Sequence, residues 1–189
     1  MRIVAGKYRG RLLLTVRGQG VRPTSDRLRE TLFNILAPQI VGSRFLDLCA
    51  GSGAIGIEAL SRGASNVTLV ERSRTACSLI RKNLESLGIE RDAAVVCRDA
   101  EPAVRSLAGQ EAQFDIIFFD PPYASTIHGP VLDLIARGHL LSEDGIVVIE
   151  HRAKAPPGSE FAGLKVYRQL KQGESALTFM RWNVGTLER

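Results

Sequence analysis

Four consecutive residues, Asp120, Pro121, Pro122 and Tyr123, follow an apolar run and combine the groups needed to hold a planar amine. Proline lacks an N–H and fixes its own φ, so two in succession predict a rigid, extended turn with outward-facing carbonyl oxygens. The Asp120 carboxylate and the Pro121 carbonyl can both accept hydrogen bonds from one NH₂ group, and the Tyr123 ring can stack on the attached plane. Adenine, cytosine and guanine carry such amines.

The chemistry of an exocyclic amine explains why two acceptors are useful. The nitrogen lone pair is delocalised into the ring, which makes the amine a poor nucleophile. Acceptors on both N–H bonds favour a localised lone pair, as an in-line attack on a methyl donor requires. The proton that this reaction releases can pass to Asp120 or to water, and the sequence leaves both routes open.

A glycine-rich stretch at residues 46–56, LDLCAGSGAIG, contains G-x-G-x-x-G and is typical of a turn that holds an adenosine cofactor. Asp47 lies just ahead of the glycines. Its carboxylate would repel the diphosphate of a dinucleotide but attract the ammonium and sulfonium groups of S-adenosyl-L-methionine. We therefore predict S-adenosylmethionine as the cofactor, with a dinucleotide as the alternative. The candidate residues of this turn are Asp47, Ala50, Gly51, Ser52 and Gly53.

Two more acidic residues end the next two predicted strands. Glu71 is placed to accept hydrogen bonds from ribose hydroxyls, although NAD sites use the same device. Asp99, followed by Ala100, can accept from the adenine amine or cap the following helix. Ligands of open α/β sheets bind along the carboxyl ends of the strands, so these residues and Asp47 predict one cofactor site.

The elements that must position these residues alternate along the chain. Strands are predicted at 45–48, 67–70, 93–97, 115–119, 146–149, 164–170 and 176–182, and helices at 54–62, 75–87, 102–107 and 131–137. Several of the strands are continuous apolar runs, which indicates a parallel sheet covered by helices on both faces. We predict a Rossmann-like α/β fold with a mainly parallel, seven-stranded sheet that ends in an antiparallel hairpin. A small β-hairpin and a helix precede it.

Positive charge is concentrated at the start of the chain. Residues 1–30 hold eight basic and two acidic side chains, whereas the other 159 residues sum to −1. Clustered Arg and Lys release counterions when they neutralise phosphates, so this segment predicts a nucleic-acid contact, with a merely solvated segment as the alternative. The predicted RNA contacts are Lys7, Arg9, Arg11, Arg22 and Arg27.

Other patterns limit the remaining classes of function. Cys49, Cys77 and Cys97 are scattered singly, which predicts reduced thiols and neither a disulfide framework nor a zinc site. The three histidines have no metal-type spacing, so no metal is expected. No run approaches the ~18 apolar residues of a membrane span, and residues 1–10 lack the apolar block of a secretory signal. We expect a cytoplasmic protein that does not contact membranes.

Together, the Asp120 turn and the glycine stretch resemble the S-adenosylmethionine-dependent methyltransferases that act on amino groups of nucleic acids. Further segments resemble the RsmD family over essentially the whole chain. They are RIVAG (2–6), RGR (9–11), RPTSDR (22–27), RETLFNIL (29–36) and EALSRGA (58–64).

The resemblance to this family implies a class I methyltransferase that modifies N2 of a guanine in bacterial 16S ribosomal RNA. It also implies a partly assembled small subunit with bound ribosomal proteins as the substrate. Arg22, Pro23 and Thr24 would then form a flap near the cofactor, with Thr24 touching it. We further expect a monomer made of a basic extension at residues 1–40 and a catalytic domain at 41–189.

The sequence departs from the family at two places: Gln172-Gly173 replaces an expected Tyr-Gly, and Cys49 stands where an aromatic residue is common. Methyltransferases acting on adenine or cytosine amines of DNA share the turn but usually add a recognition domain. Protein glutamine methyltransferases typically begin the turn with Asn. A nucleotide-dependent oxidoreductase leaves the Asp120 turn unexplained, and a plain RNA-binding module leaves the cofactor residues unexplained.

Overall fold

A computed structural model describes residues 1–15, 26–122 and 127–183. The helices are α1 (Asp26–Ile40), α2 (Ala54–Ser61), α3 (Arg74–Leu87), α4 (Ala100–Ala108) and α5 (His128–Arg137), with a short 3₁₀ helix at Glu90–Asp92. The strands are β1 (Arg44–Leu48), β2 (Asn66–Glu71), β3 (Ala93–Cys97), β4 (Phe114–Phe119), β5 (Leu141–Arg152), β6 (Glu160–Phe161), β7 (Leu164–Gln172) and β8 (Ser175–Trp182).

The eight strands form one sheet of order β3-β2-β1-β4-β5-β8-β7-β6. The pairs β1–β2, β2–β3 and β4–β5 are parallel, and the pairs β5–β8, β8–β7 and β7–β6 are antiparallel. The predicted α/β fold with an antiparallel hairpin at its end is confirmed. The sheet has one strand more than predicted, because the two-residue β6 is too short to produce a periodic pattern.

Two compact units divide the chain, Met1–Ala100 and Glu101–Arg189. In the first unit, the apolar residues of β1 and β2 are buried on both sides of the strand, as the continuous apolar runs predicted. All eight residues of α2 are buried as well. The division of the chain at residue 40 remains a prediction.

Local sequence signals set the ends of α3. Ser73 is its N-cap, with Oγ accepting from the Ala76 amide at 3.3 Å. Gly88 ends the helix in the left-handed region at φ 68°. In contrast, α1 contains Pro38 and ends two residues later, at Ile40. Thr24 and Ser25, either of which could cap the start of this helix, lie outside the described residues.

A hairpin with little sheet structure occupies residues 1–13, which we call the N-terminal hairpin. Arg2 and Leu12 form an isolated antiparallel bridge. The Ile3 amide donates to the Arg11 carbonyl at 3.0 Å, and the Leu13 amide donates to the Met1 carbonyl at 2.9 Å. The predicted hairpin is present, although its two arms are not continuous strands.

The second unit contains a longer hairpin, formed by β7 and β8, which we call the C-terminal hairpin. β8 is buried from Ala176 to Met180, whereas most residues of β7 are exposed. His151 of β5 lies at the buried side, with Nε2 2.8 Å from Thr178 Oγ1 and Nδ1 2.8 Å from the Arg152 carbonyl. Because a carbonyl can only accept, Nδ1 carries the proton and Nε2 accepts from Thr178.

One prediction about the cysteines is wrong. Cys77 of α3 and Cys97 at the end of β3 form a disulfide, with Cα atoms 6.0 Å apart. The spacing of these residues in the sequence gave no signal for this pairing. The helix that follows β2 packs back toward β3, and this topology brings the two side chains together. Cys49 is half-exposed.

Candidate active site

The turn between β1 and α2 is held by backbone hydrogen bonds and an unusual set of dihedral angles. Cys49 and Gly53 both have positive φ, at 67° and 77°. The Ala50 amide donates to the Val70 carbonyl at 2.9 Å, and the Gly53 amide donates to the Ala50 carbonyl at 2.7 Å. A Cβ on Gly56 would lie 2.8 Å from side-chain carbons of β2, so this glycine allows α2 to approach the sheet closely.

Asp47 lies beneath this turn, with 1% of its surface exposed. Its Oδ2 accepts from the Gly56 amide at 2.9 Å, so the carboxylate helps to fix the start of α2. Burial raises the pKa of Asp47 to about 7, the Gly56 hydrogen bond opposes this rise, and the charge of Glu71 adds to it. A cation bound nearby would offset the cost of burying this charge and would therefore favour the ionised form of Asp47.

Glu71 ends β2 and is connected to both neighbouring loops. Its Oε2 accepts from the Gly51 amide at 2.9 Å, and its Oε1 accepts from the Ser73 amide at 2.8 Å. A carboxylate has about four lone-pair sites, so each oxygen can accept one further hydrogen bond. The two amides hold Glu71 in one orientation, which would prepare it to receive a pair of vicinal hydroxyls.

Asn83 of α3 is a candidate site residue that the sequence reasoning missed. Its side chain is buried, and Nδ2 donates to the Ser52 carbonyl at 3.2 Å and to the Leu14 carbonyl at 3.1 Å. Its Oδ1 accepts from the Leu14 amide at 2.8 Å. Asn83 thus joins the glycine turn to the chain that leaves the N-terminal hairpin. An interior polar residue on the apolar face of α3 was the available signal.

Asp99 and Ala100, the remaining candidate cofactor residues, lie at the end of the next strand. Asp99 is exposed and directly precedes α4, which begins at the buried Ala100. The Arg98 amide donates to the Glu71 carbonyl at 3.0 Å, so the end of β3 is connected to the end of β2. The first unit therefore brings Asp47, Glu71 and the glycine turn together, with Asp99 one strand further along.

In the second unit, Asp120 directly follows β4 and is half-buried, Pro121 is buried, and Pro122 is exposed. The ring of Phe119, the last residue of β4, lies 5.8 Å from the His128 ring at the start of α5. The turn thus begins at the carboxyl end of a strand, as predicted. Tyr123 lies outside the described residues, as do Arg22 and Thr24.

The N-terminal hairpin is docked on α2 through two polar side chains. Glu58 accepts from the amides of Val4 and Ala5, at 2.8 Å and 2.9 Å. Ser61 Oγ donates to the Ala5 carbonyl at 2.6 Å and accepts from the Tyr8 amide at 3.0 Å.

The backbone of the hairpin also approaches α2 directly. The Lys7 amide donates to the Ser61 carbonyl at 2.7 Å. Gly6 has φ +82°, and a Cβ there would lie 1.8 Å from the Ser61 oxygen. The segments 2–6 and 58–64, both part of the family resemblance, are therefore the two sides of one contact.

The predicted RNA contacts in the described residues are all exposed: Lys7, Arg9, Arg11 and Arg27. Lys7 Nζ lies 5.3 Å from the centre of the Tyr8 ring, and Arg11 Nη2 donates to the Ser86 carbonyl at 2.9 Å. Arg29, by contrast, is 1% exposed. Its Nη2 donates to Asp26 at 2.9 Å and to the Arg2 carbonyl at 2.7 Å, so its charge serves the docking of the hairpin.

These observations fit S-adenosylmethionine better than a dinucleotide. The site contains the buried carboxyl of Asp47, whose pKa is raised to about 7, and the carboxylate of Glu71, which two amides hold in one orientation. Two carboxylates beside the glycine turn would repel a diphosphate and favour a cation. Asp47 would face the cationic end of the cofactor, and Glu71 would hold its ribose.

Across residues 1–15, 26–122 and 127–183, no helix is both long and apolar enough to cross a membrane. The same residues contain no group of three or more His, Cys, Asp or Glu side chains that could hold a metal ion.

Comparisons with known proteins agree with this geometry. The family model described as conserved hypothetical protein 95 matches residues 1–181. The chain is 36% identical to ribosomal RNA small subunit methyltransferase D of Escherichia coli K12, over 93% of this chain and 87% of the relative. The Haemophilus influenzae protein of the same name is 36% identical over 82% and 81%. The solved structure of yhhF from Escherichia coli has a TM-score of 0.82, at 35% identity over 97% and 98% of the two chains.

Proposed function

Since the chain belongs to the conserved hypothetical protein 95 family, the RsmD family, we propose that it methylates the exocyclic N2 amine of a guanine in 16S ribosomal RNA. It is an S-adenosylmethionine-dependent methyltransferase with a class I fold, and its substrate is ribosomal RNA. The observation that carries the proposal is the combination of the carboxylate-lined glycine turn with the Asp-Pro-Pro-Tyr sequence at the end of β4.

When bound, the cofactor supplies an electrophilic methyl group on a sulfonium. The chain's own residues bind and orient the two reactants. Asp47 and the amides of the glycine turn hold the methionine end, Glu71 holds the ribose, and Asp99 with Ala100 lies at the adenine. Asn83 keeps Ser52 and the turn in place.

The Asp120 turn acts on the amine. The Asp120 carboxylate and the Pro121 carbonyl accept hydrogen bonds from the two N–H groups of N2. These two bonds concentrate the lone pair on nitrogen and direct it away from the ring. Tyr123 stacks on the guanine, and the buried Pro121 keeps the carbonyl rigid. The proton lost from N2 passes to Asp120 or to water.

The N-terminal hairpin and α1 carry the RNA contact. Lys7, Arg9, Arg11 and Arg27 are exposed and neutralise phosphates, and Arg22 lies in the segment that follows the hairpin. The family relatives are small-subunit rRNA enzymes, which supports an assembling small subunit with bound ribosomal proteins as the natural substrate. We place the reaction in the cytoplasm, carried out by a monomer.

Identification of the methylated nucleoside tests this proposal. Labelled S-adenosylmethionine is incubated with unmodified 16S RNA, with assembling small subunits and with duplex DNA, and the products are digested and separated. Label in N2-methylguanosine from a ribosomal substrate is expected. Label in methylated adenine or cytosine, or only in DNA, would contradict the guanine assignment while leaving the amine chemistry in place.

The variant Asp120→Ala tests the role of the turn. Because Asp120 is proposed to act on the amine, we expect turnover to fall below detection while S-adenosylhomocysteine binds with near-normal affinity. Calorimetry on the purified variant gives that affinity. An equal loss of binding and turnover would indicate that Asp120 has a structural role instead.

A further inference from the structure

The net charge of the residues after position 30 conceals an uneven distribution. Residues 31–150 contain ten basic and fifteen acidic side chains, a balance of −5. Residues 151–183 contain six basic and two acidic side chains, a balance of +4. The chain therefore has a second cationic region, around the C-terminal hairpin, in addition to the first 30 residues.

A β-bulge shapes the surface of this hairpin. Val166 of β7 pairs with Met180 of β8, and Arg168 pairs with Phe179, so Tyr167 is an extra residue between two paired positions. Bulges change the direction of side chains, and they are common next to functional surfaces.

The bulge brings two arginines close to two aromatic rings that contact each other. The Tyr167 ring lies 6.2 Å from the Phe179 ring, and the Arg168 guanidinium lies 6.0 Å from that same ring. The Arg181 guanidinium lies 5.0 Å from the centre of the Tyr167 ring. Tyr167 is 39% exposed, and both arginines are exposed. We call these three side chains the Tyr167 cluster.

Two further lysines extend the charge along β7. Lys165 lies opposite Arg181 in the strand pairing, and Lys171 lies near the end of the strand. Both side chains are exposed. Positive charges on an exposed strand also discourage pairing with other chains, but that role needs no exposed aromatic ring beside the arginines.

We propose that the Tyr167 cluster is a second RNA contact, in which Tyr167 stacks on an unpaired base while Arg168 and Arg181 hold the adjacent phosphates. The proposal rests on the proposed function, because it takes ribosomal RNA as the partner. Aromatic rings and guanidinium planes are the groups on which single-stranded RNA bases stack, and arginine binds phosphate through paired donors. The bulge supplies both kinds of group at one place.

Binding of the full chain to an unmodified 16S RNA transcript, measured between about 50 and 200 mM salt, tests this contact. The double variant Arg168→Gln/Arg181→Gln is expected to lower the slope of log affinity against log salt by about 1.5, since each phosphate contact contributes about 0.7 to 0.9. Tyr167→Ala is expected to weaken binding by about 5- to 150-fold, the range for one stacked base. Tyr167→Phe keeps the ring and should bind like the wild type.

A matched control removes the same charge elsewhere. Arg91→Gln/Arg137→Gln changes two other exposed arginines and should leave the salt slope unchanged. S-adenosylhomocysteine affinity, measured for every variant, reports folding. Ultraviolet cross-linking of wild-type protein to the transcript adds a test that needs no variant, with cross-linked peptides expected at residues 165–171.

The outcomes separate this proposal from the one on which it rests. If the wild type binds and methylates the RNA while the hairpin variants keep its affinity and salt slope, the second contact is wrong and the proposed function stands. The same conclusion follows if cross-links form at residues 7–11 but not at 165–171. If the wild type neither binds nor methylates RNA, both proposals fail.

Discussion

The two hairpins of the molecule both present basic side chains, but they are attached by opposite means. The N-terminal hairpin has a single bridge of its own, the side chains of Glu58 and Ser61 hold its backbone, and Asn83 holds Leu14, the residue that follows it. The C-terminal hairpin is part of the sheet, paired from Leu164↔Trp182 to Gln172↔Ser175 and joined to β5 through β8.

This difference determines which substitutions matter. A ladder of backbone hydrogen bonds tolerates many side chains, because the bonds do not depend on residue type. A hairpin held by side chains depends on the few residues that supply the acceptors and the space. We therefore expect single substitutions to release the N-terminal hairpin, whereas equivalent substitutions leave the C-terminal hairpin attached.

The largest expected effect comes from Gly6→Ala. The new Cβ would overlap the Ser61 carbonyl, and φ +82° is unfavourable for alanine. We expect about 4 kcal/mol of lost stability, and a fall in RNA methylation greater than that in cofactor binding. Urea denaturation and methyl transfer measure these two quantities.

Two other glycines provide matched controls for Gly6→Ala. Gly10 of the N-terminal hairpin and Gly173 of the C-terminal hairpin also have positive φ, but a Cβ on either meets nothing within 4 Å. Each change to alanine should cost about 1 to 2 kcal/mol, the cost of the backbone conformation alone. Equal losses at Gly6 and Gly10 would contradict the role of close approach.

Glu58→Gln is expected to have the next largest effect. Glu58 is buried and accepts from Arg62 Nε at 2.8 Å, besides the two amides of the hairpin. Removing its charge takes away the carboxylate that pairs with the half-buried Arg62 and one of the two that lie near the buried Arg29, for an expected loss of about 3 kcal/mol. The exposed pair Glu160–Lys165 of the second unit, at 3.9 Å, gives the comparison.

For Glu160→Gln we expect less than about 0.5 kcal/mol, because solvent screens exposed ion pairs. Thermal or urea unfolding of both variants measures the difference. If the two substitutions cost the same, the buried carboxylate is not the anchor of the N-terminal hairpin.

Asn83→Ala should have a smaller and more specific effect. The substitution removes the bonds to Leu14 and Ser52. We expect a stability loss of about 1.5 kcal/mol and S-adenosylhomocysteine affinity lower by about fivefold. Gln169→Ala, which removes one 3.3 Å hydrogen bond to Thr178 in the C-terminal hairpin, should change neither quantity appreciably. A loss of stability with unchanged cofactor affinity would confine Asn83 to holding Leu14, the residue that follows the hairpin.

A dependence on pH is expected without any change to either hairpin. The pKa of Asp47 is raised from 3.8 to about 7, so the ligand-free protein loses stability as pH rises between those values. The ammonium group of the bound ligand favours the carboxylate, so affinity for S-adenosylhomocysteine should rise by about tenfold from about pH 6 to about pH 8. Asp47→Asn should abolish that rise, which calorimetry at several pH values would detect.

In the second unit, His151 is expected to give stability the opposite dependence on pH. Burial lowers the pKa of His151 below 6.5, so the unfolded chain takes up a proton first and stability falls as pH falls below that value. The variant Asp47→Asn should retain this loss at low pH. A persistent rise of cofactor affinity with pH in Asp47→Asn would assign the effect to another group.

Features that depend on hydrophobic periodicity and on the positions of strand ends could be predicted from the sequence. The strands and helices of the alternating body follow from apolar runs and caps, and Asp47, Glu71 and Asp99 lie at the ends of successive strands as expected. The two-residue β6 was missed because it carries no pattern of its own. The roles of Asp120 and Tyr123 remain predictions.

Contacts between distant segments could not be predicted from the sequence. The Cys77–Cys97 disulfide, the bonds of Asn83 to Leu14 and Ser52, and the Tyr167 bulge each depend on how elements pack. Arg29 shows the same limit, since it belongs to the basic first 30 residues and yet is buried. Charge counts locate a cationic segment, but they do not tell a surface arginine from an anchoring one.

The contact between Gly6 and Ser61 also bears on how such enzymes can be recombined. The N-terminal hairpin and the α2 positions that hold it are more than 50 residues apart, with Val4 and Glu58 separated by 54. A transfer of the hairpin alone to another methyltransferase would deliver a segment that has no surface to hold it. For inheritance and for engineering, the N-terminal hairpin and the α2 positions that hold it are therefore two pieces of sequence that must move together.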